Sequence, residues 1–463
     1  MFQRGYIVSC IRAAECEEER IYQEFKEAVI GAAKAGGITE YEIYYTESES
    51  TTVEIFKEEV KGYGTESSLG VCFRCVIGER AGYAATENLT AEEAVSLVAR
   101  AVENAGSIES DQKAFIHKKG DDYAAVQEVQ GELPSGAELV ETALTLQKRL
   151  YQSDSRVVDG TQAYMAGGSE KYALYNSNGL DLEDKVSYAQ CFALAIVKDG
   201  EDMYDGSADK MGALQDFDLD AVTAEAVEDA VSSIGAAGVD SGKYSVVFSG
   251  KAMAKLLMTY SSVFSAEEAQ KGLSLLKDKE GEKIAADCVT LIDDPRYPDS
   301  VIKRTFDGEG VAAYAKKVVE NGTLKTLLHN LATADKAGVK STGNASKPSY
   351  SSVVGISPFT FYVKPGEGKK EELFAKAGNG IYVTNVEGLH SGANAVTGDF
   401  SLAASGFLLE NGKKTTPVKG FTVADNFFTF LKKVVCVGED LELVRGRVGS
   451  PSVLVEDITV GGK

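Results

Sequence analysis

The sequence predicts an α+β protein, with an N-terminal α/β-mixed domain and a C-terminal domain with large antiparallel sheets. Three observations carry this. Helical and strand periodicities alternate through the first half. Strand and turn signals dominate from Ile284 onward. Small, turn-forming residues, Gly235 to Gly238 and Asp240 to Gly242, lie between the two halves. The expected division is 1–240 and 241–463, with a central subdomain from about residue 115.

Ile21, Tyr22, Phe25, Ala28, Val29 and Ala32 recur at helical spacing, and Gly36-Gly37 ends that helix. Tyr41, Ile43 and Tyr45 alternate as a strand, as do Val53 and Ile55. A further alternating stretch, Leu69 to Ile77, turns at Gly78 into Ala81–Thr86. Thr90 caps the next helix and Glu93 completes a capping box. Ala94, Val95, Leu97, Val98, Ala101 and Val102 are its expected buried stripe. Gly136–Tyr151 repeats the helical pattern. Val157–Val197 reads as β, with a hairpin at Asn178-Gly179, since both residues tolerate positive φ. A helix is expected over about Leu219–Ile234.

The second half opens with a strand, Tyr244–Phe248, and a helix that Ser249 caps. Ser265 and Glu268 make another capping box. Two hairpins share a Glu-Asn-Gly turn, at Asn321-Gly322 and Asn411-Gly412, which hints at two related sheets.

The 463 residues suggest two or three domains. With 44% hydrophobic and 25% charged residues, the chain has the composition of a soluble globule. No apolar run is long enough for a membrane helix. The apolar patch Tyr6–Val8 is too short for a signal peptide, so a cytoplasmic location is expected. A net charge of −22 repels phosphate backbones, which argues against direct nucleic-acid binding. Seven scattered cysteines, Cys10, Cys16, Cys72, Cys75, Cys191, Cys288 and Cys436, fit reduced thiols. Cys72-Phe-Arg-Cys75 matches C-x-x-C, but on a strand the two thiols would point apart.

Several segments together resemble the TldD/PmbA family. They are Leu69-Gly-Val-x-Phe-Arg with Gly82-Tyr-Ala-Ala-Thr86, then Phe306-Asp-Gly-Glu-Gly310, and Leu324-Lys-Thr with Ser341-Thr-Gly-Asn-Ala345. Gly388-Leu-His-Ser-Gly392, Thr397-Gly-Asp-Phe-Ser401, Gly449-Ser-Pro-Ser452 and Val460-Gly-Gly462 follow in family order. The resemblance implies one of two subunit types. TldD-like chains resemble zinc metallopeptidases, with an HExxxH helix opening the C-terminal domain and a downstream Cys ligand. PmbA (TldE) chains lack those ligands and pair with a TldD-like subunit.

This chain matches the second type. The helix after Ser249 contains no His and no carboxylate, and His117, His329 and His390 are the only histidines. No metal ligands and no cofactor are expected in this chain; zinc is expected only in a TldD-like partner. Cys436 reads as a buried strand residue. Met253, Leu256, Leu257, Tyr260, Val263 and Phe264 read as a core or interface stripe.

Asn344, His390, Asn394, Asp399 and Ser401 are the candidate residues for a substrate cleft or subunit contact. Their turn-rich segments suit a cleft wall, or a strand edge holding an extended peptide. His390, in a loop, is the candidate for proton transfer. Asp293, Asp294, Asp307, Glu309 and Asp399 suit either acid–base work or turn chemistry, and the structural role is preferred. Three functions follow. The first is a non-catalytic subunit of a cytoplasmic zinc peptidase acting on peptides or unfolded proteins, paired with a TldD-like chain or as a homodimer. The second is a hydrolase using His390 and carboxylates. The third is a binding protein that modulates DNA gyrase.

Overall fold

The computed structural model describes residues 2–107, 112–125 and 133–463. The helices are α1 (Phe2–Ala35), α2 (Ala91–Ser107), α3 (Gly136–Ser153), α4 (Leu219–Ser232), α5 (Gly250–Tyr260), α6 (Ala266–Gln270), α7 (Leu331–Ala337), α8 (Lys370–Ala377), α9 (Leu389–Gly392) and α10 (Phe427–Phe430). The strands of the first half are β1 (Tyr41–Phe56), β2 (Glu59–Ile77), β3 (Arg80–Thr86), β4 (Gln162–Asn176), β5 (Asp181–Asp199) and β6 (Asp202–Gly212). Those of the second half begin with β7 (Gly242–Phe248), β8 (Leu291–Asp293), β9 (Lys316–Glu320), β10 (Thr323–Leu324), β11 (Ala345–Ser346), β12 (Gly355–Ile356) and β13 (Phe361–Val363). They continue with β14 (Gly380–Glu387), β15 (Asp399–Glu410), β16 (Lys413–Asn426), β17 (Val434–Val437), β18 (Glu442–Val444), β19 (Val448–Ser450) and β20 (Val453–Gly461). The α+β class with large antiparallel sheets therefore holds; the first-half sheet is antiparallel throughout, and the second half includes two parallel pairs, β7–β14 and β13–β19.

The first sheet has the order β3-β2-β1-β4-β5-β6. Period-two alternation gives it two different faces. Ile43, Tyr45, Val71 and Phe73 point to one side, where Tyr22, Phe25 and Val29 of α1 and Leu97 of α2 cover them. Further along the same face, Val53, Ile55 and Met165 meet Leu139 and Leu146 of α3 and Val222 and Ala226 of α4. Tyr44, Cys72, Tyr172 and Leu174 point to the other side and pack on Phe306 of the second half. Cys72 and Cys75 thus lie in different cores on opposite faces. The side chains of Cys10 and Cys16 lie outside the described residues.

The second half holds two six-stranded sheets and the two-stranded pair β11–β12. One runs β10-β9-β8-β13-β19-β18. The other runs β16-β15-β14-β7-β20-β17, and β16 also pairs with β20, so five strands close on themselves. Val246 and Phe248 of β7 face the enclosed core with Leu256 and Leu257 of α5, while Val247 faces Leu373 and Phe374 of α8. That is why β7 is apolar at consecutive positions: both of its faces are buried. The Asn-Gly turns fall in different sheets, one joining β9 to β10 and the other joining β15 to β16.

Three expectations need correction. Val95 and Val102 are exposed; the stripe α2 buries is Ala94, Leu97, Val98, Ala101 and Ala105. A helix on a sheet buries one stripe, and the two valines sit seven apart along its flank. The β4–β5 hairpin exists, but only Gly179 takes positive φ. Asn178 instead donates its amide to the carbonyls of Ile116 and His117. Helices α7 and α8 interrupt the region read as strands and turns. The start of α7 is set by a capping box of Asn330 and Thr333, and its end by Gly338 at φ 68°.

Gly206 of β6 lies against α4, where a Cβ would sit 2.1 Å from the Ala230 nitrogen and 2.4 Å from the Ala226 carbonyl. Backbone cannot yield as a side chain can. Gly206→Ala should therefore cost about 1–3 kcal/mol in calorimetric unfolding. Gly31→Ala, near the C-terminal end of α1 with nothing within 4 Å, should instead stabilise by about 0.5–1 kcal/mol.

Candidate functional site

Four of the five candidate residues fall on one surface segment. Residues 389–392 form the single turn α9, which carries His390, and His390 is exposed. Asn394 builds the next turn: its Oδ1 accepts from the N–H groups of Val396 and Thr397 at 2.9 and 3.2 Å. Gly398, at φ 86°, closes that turn by donating to the Asn394 carbonyl. Asp399 then opens β15, and its carboxylate accepts from the Asn426 amide at 3.0 Å. That bond, and a second from Thr397, hold Asp399 below the usual carboxylate range. The Tyr260 hydroxyl donates to the Asp399 carbonyl at 2.9 Å and ties the segment to α5. Ser401 is exposed one pleat further on.

This segment offers no free strand edge. On one side Asp399 to Ser401 pair with Asn426 to Ala424 of β16. On the other side the chain from Gly392 to Asn394 lies against them, with a bridge between Ala393 and Phe400. The expected strand-edge peptide site is therefore closed at these residues, because both backbone faces are already paired.

Asn344 is elsewhere and completely buried. Its amide donates to Asp293 Oδ2 at 2.7 Å and to the Ser357 carbonyl at 3.2 Å. Its Oδ1 accepts from Lys316 Nζ at 3.0 Å and Thr342 Oγ1 at 2.9 Å. Lys316 Nζ lies 3.1 Å from Asp293, and both side chains are buried. Every polar atom of Asn344 is thus committed to holding the β8–β9 edge to the loop before β11. His329 is buried beside this network, and burial lowers its imidazole pKa.

A second buried array joins the two halves. Arg74 of β2 reaches from the first sheet to Glu309 Oε1 at 3.1 Å, with Glu42 Oε1 at 3.6 Å on its other side. All three side chains are at most 3% exposed. Glu309 also accepts from the Leu331 N–H at 2.8 Å. Asp307 accepts from the N–H groups of Glu309, Val311 and Ala345, which folds the Phe306–Gly310 segment into a tight loop. Burial, then the neighbouring Glu309 carboxylate, push Asp307 up to about 7. Around them Tyr123 donates to the Gly310 carbonyl, Tyr44 to the Lys347 carbonyl, and Thr305 to Asp184. Arg74 stands inside a family-like segment of the sequence, but composition alone did not reveal its buried role. The signal was a charged residue flanked by Phe73 and Cys75 in a strand buried on both faces.

Sequence reasoning also passed over two lysines on α5. Lys251 and Lys255 are one helical turn apart. Lys255 Nζ donates to Asn385 Oδ1 at 2.6 Å, and burial, then Lys251, lower its pKa. Lys251 reaches Asp209 and Glu225 of the first half, each at 3.9 Å. The rest of α5 is apolar and buried, through Met253, Leu256, Leu257 and Tyr260. Zinc does not fit these residues. Among the described residues no three His, Cys, Asp or Glu side chains come together to hold a metal. His117 pairs with Asp121, His329 is buried, and His390 is exposed in α9.

Comparison with known proteins places this geometry. Residues 41–105 match domain 1 of the PmbA/TldA metallopeptidases, residues 132–234 the central domain, and residues 241–462 the C-terminal domain. A Haemophilus influenzae protein named as a metalloprotease PmbA homolog is 25% identical over 97% of each chain. A crystal structure from Thermotoga maritima, described as a modulator of a DNA gyrase, has 31% identity and a TM-score of 0.87, covering 95% of this chain and all of that one. The structure of TldE from Thermococcus kodakarensis shares the fold at a TM-score of 0.85 and 22% identity, covering 94% of this chain and all of that one.

The buried Asn344 network and the exposed surface segment should respond differently to substitution. Asn344→Ala leaves Asp293 and Lys316 short of partners and should cost about 1–3 kcal/mol in urea unfolding, whereas Ser401→Ala should stay within about 0.5 kcal/mol. The Asp307 pKa sets a pH dependence. Its folded value, about 7, lies above the ordinary 3.8, so the folded state keeps a proton that the unfolded chain releases. Its contribution is full below pH 3.8 and is lost as pH rises to about 7. Unfolding free energies across that range should fall with pH, and less steeply in Asp307→Asn.

Proposed function

The chain belongs to the PmbA/TldD family of metallopeptidases, and from that membership we propose that it is the non-catalytic, TldE-type subunit of a cytoplasmic zinc peptidase. The observation that carries this reading is α5. TldD-like chains bear their HExxxH motif on this helix, and here it presents Met253, Leu256, Leu257 and Tyr260 to a sealed core. In this proposal the partner is a TldD-like chain with that motif, zinc sits only in the partner, and the substrates are peptides or unfolded proteins. The segment bearing His390, Asn394, Asp399 and Ser401 is exposed and rigidly folded, which suits a contact surface better than a catalytic centre. No helix among the described residues is long and apolar enough to cross a membrane.

The second reading, a hydrolase using His390, draws little from the geometry. His390 has no described hydrogen-bond partner, and the nearby Asp399 carboxylate is occupied by Asn426. The third, a gyrase modulator, draws on the description of the Thermotoga maritima protein. With a net charge of −22, such a role would run through protein contact rather than DNA.

Mixing the purified chain with an HExxxH-bearing relative should give a complex by gel filtration with light scattering, and peptide hydrolysis that this chain alone does not provide. Metal analysis of the isolated chain should find no stoichiometric zinc. Hydrolysis by the isolated chain that His390→Ala abolishes would overturn the assignment.

A further inference from the structure

The junction between the halves buries more polar chemistry than its own contacts satisfy. Glu42, Arg74 and Tyr83 stand directly opposite one another on β1, β2 and β3, so their side chains leave the same face of the first sheet. Lys347, just after β11, meets them from the second half and is 3% exposed. Its Nζ lies 4.5 Å from the centre of the Tyr44 ring and 5.9 Å from that of Tyr83. Lys347 Nζ, both Glu42 carboxylate oxygens and Arg74 Nε are buried with no hydrogen-bond partner among the described residues. Arg74 Nε and Glu42 Oε1 approach to 3.6 Å, which is too long for a hydrogen bond.

A buried charged group without a partner gives up its hydration for nothing in return. Loss of a proton would relieve Lys347, but its surroundings oppose that. Burial lowers its pKa, while Cys72, Glu42, Tyr44 and Tyr83 outweigh burial and raise it above a lysine's ordinary value. The balance of charge then decides what kind of ligand fits. Arg74 and Lys347 balance Glu42 and Glu309, and Arg304 lies 3.4 Å from Asp184. Asp307 beside them is pushed up to about 7. An added ion of either sign would leave net charge in an interior walled by Tyr44, Cys72 and Phe306. The unmet groups also differ in kind: an ammonium and a guanidinium only donate, and a carboxylate only accepts. The ligand must therefore be neutral, small, and both donor and acceptor.

We propose that the Glu42–Arg74–Lys347 junction is an internal water site, in which water accepts from Lys347 Nζ and Arg74 Nε and donates to the Glu42 carboxylate. Water meets all three demands, and a buried water held by about three hydrogen bonds is part of the fold rather than of the solvent. It joins Lys347 of the second half to the first sheet on the side of Arg74 away from Glu309. The site belongs to the junction itself and does not depend on which partner the chain takes.

A high-resolution crystal structure of the full chain tests this. A water-sized peak is expected about 2.7–3.2 Å from both Lys347 Nζ and a Glu42 oxygen. The double variant Glu42→Leu with Lys347→Met removes one charge of each sign and keeps the volume apolar, a change that buried ion pairs often tolerate. It should lose the peak, and water magnetic relaxation dispersion should count fewer long-lived waters than in the unmodified chain. Direct contact between Lys347 and Glu42 with no peak between them overturns the proposal. So does a peak about 2.0–2.6 Å from the oxygens, the distance of a metal cation. A peak that gains anomalous signal after bromide exchange marks a halide and overturns it as well. An unchanged number of long-lived waters in the double variant has the same force. The density of the unmodified chain decides the matter even if the variant does not fold.

Discussion

The two halves are held in register by buried charge, with Arg74 at its centre and Arg304 crossing nearby to Asp184 at 3.4 Å. Arg74 leaves the first sheet and ends between Glu42 of its own sheet and Glu309 of the second half. Desolvating three charges is expensive, and their attraction offsets that only when geometry and surrounding hydrogen bonds are right. The surroundings answer that demand on the Glu309 side, while the Glu42 oxygens and Arg74 Nε are buried without a hydrogen-bond partner among the described residues. The tight loop around Asp307 fixes Glu309, and the Leu331 N–H takes its second oxygen. Arg74 also donates to the Phe115 carbonyl. A small slide of either half would strand a charge in an apolar interior. The junction therefore tolerates one arrangement, and Tyr44, Tyr123 and Thr305 reinforce it from three directions.

That rigidity bears on the subunit role proposed for the chain. In that role a chain without metal ligands acts through shape and surface, so its surfaces must be well placed. The His390–Ser401 segment runs into β15, a strand of the sheet that closes on itself. The Tyr260 bond to the Asp399 backbone links that segment to α5.

Much of the fold was legible because its punctuation is local. Asn321-Gly322 and Asn411-Gly412 mark hairpins by φ preference alone, and Ser249 caps α5 where a cap was expected. The alternation of Tyr41, Ile43 and Tyr45 assigns a face without any tertiary knowledge. The site was less legible because its logic is tertiary. Asn344 looks like turn chemistry in sequence, and its neighbours are indeed turns. What buries it is Asp293, 51 residues away, and Lys316. Val95 and Val102 failed as core residues for a related reason: hydrophobicity identifies a helix, but the partner decides which stripe is covered. Pairing between β16 and β20 left no mark in either strand.

That last pairing has a consequence for biosynthesis. β20, the last strand of the chain, lies between β7 on one side and β16 and β17 on the other, so it joins the first strand of the second half to two late ones. Until residues 453–461 leave the ribosome, β7 and β16 each present an unpaired edge, and the core they enclose stays open to water. Contacts this distant in sequence form slowly, and exposed edges recruit other chains. A nascent chain stalled or clipped shortly before β20 would leave an open half-barrel with two bare strand edges.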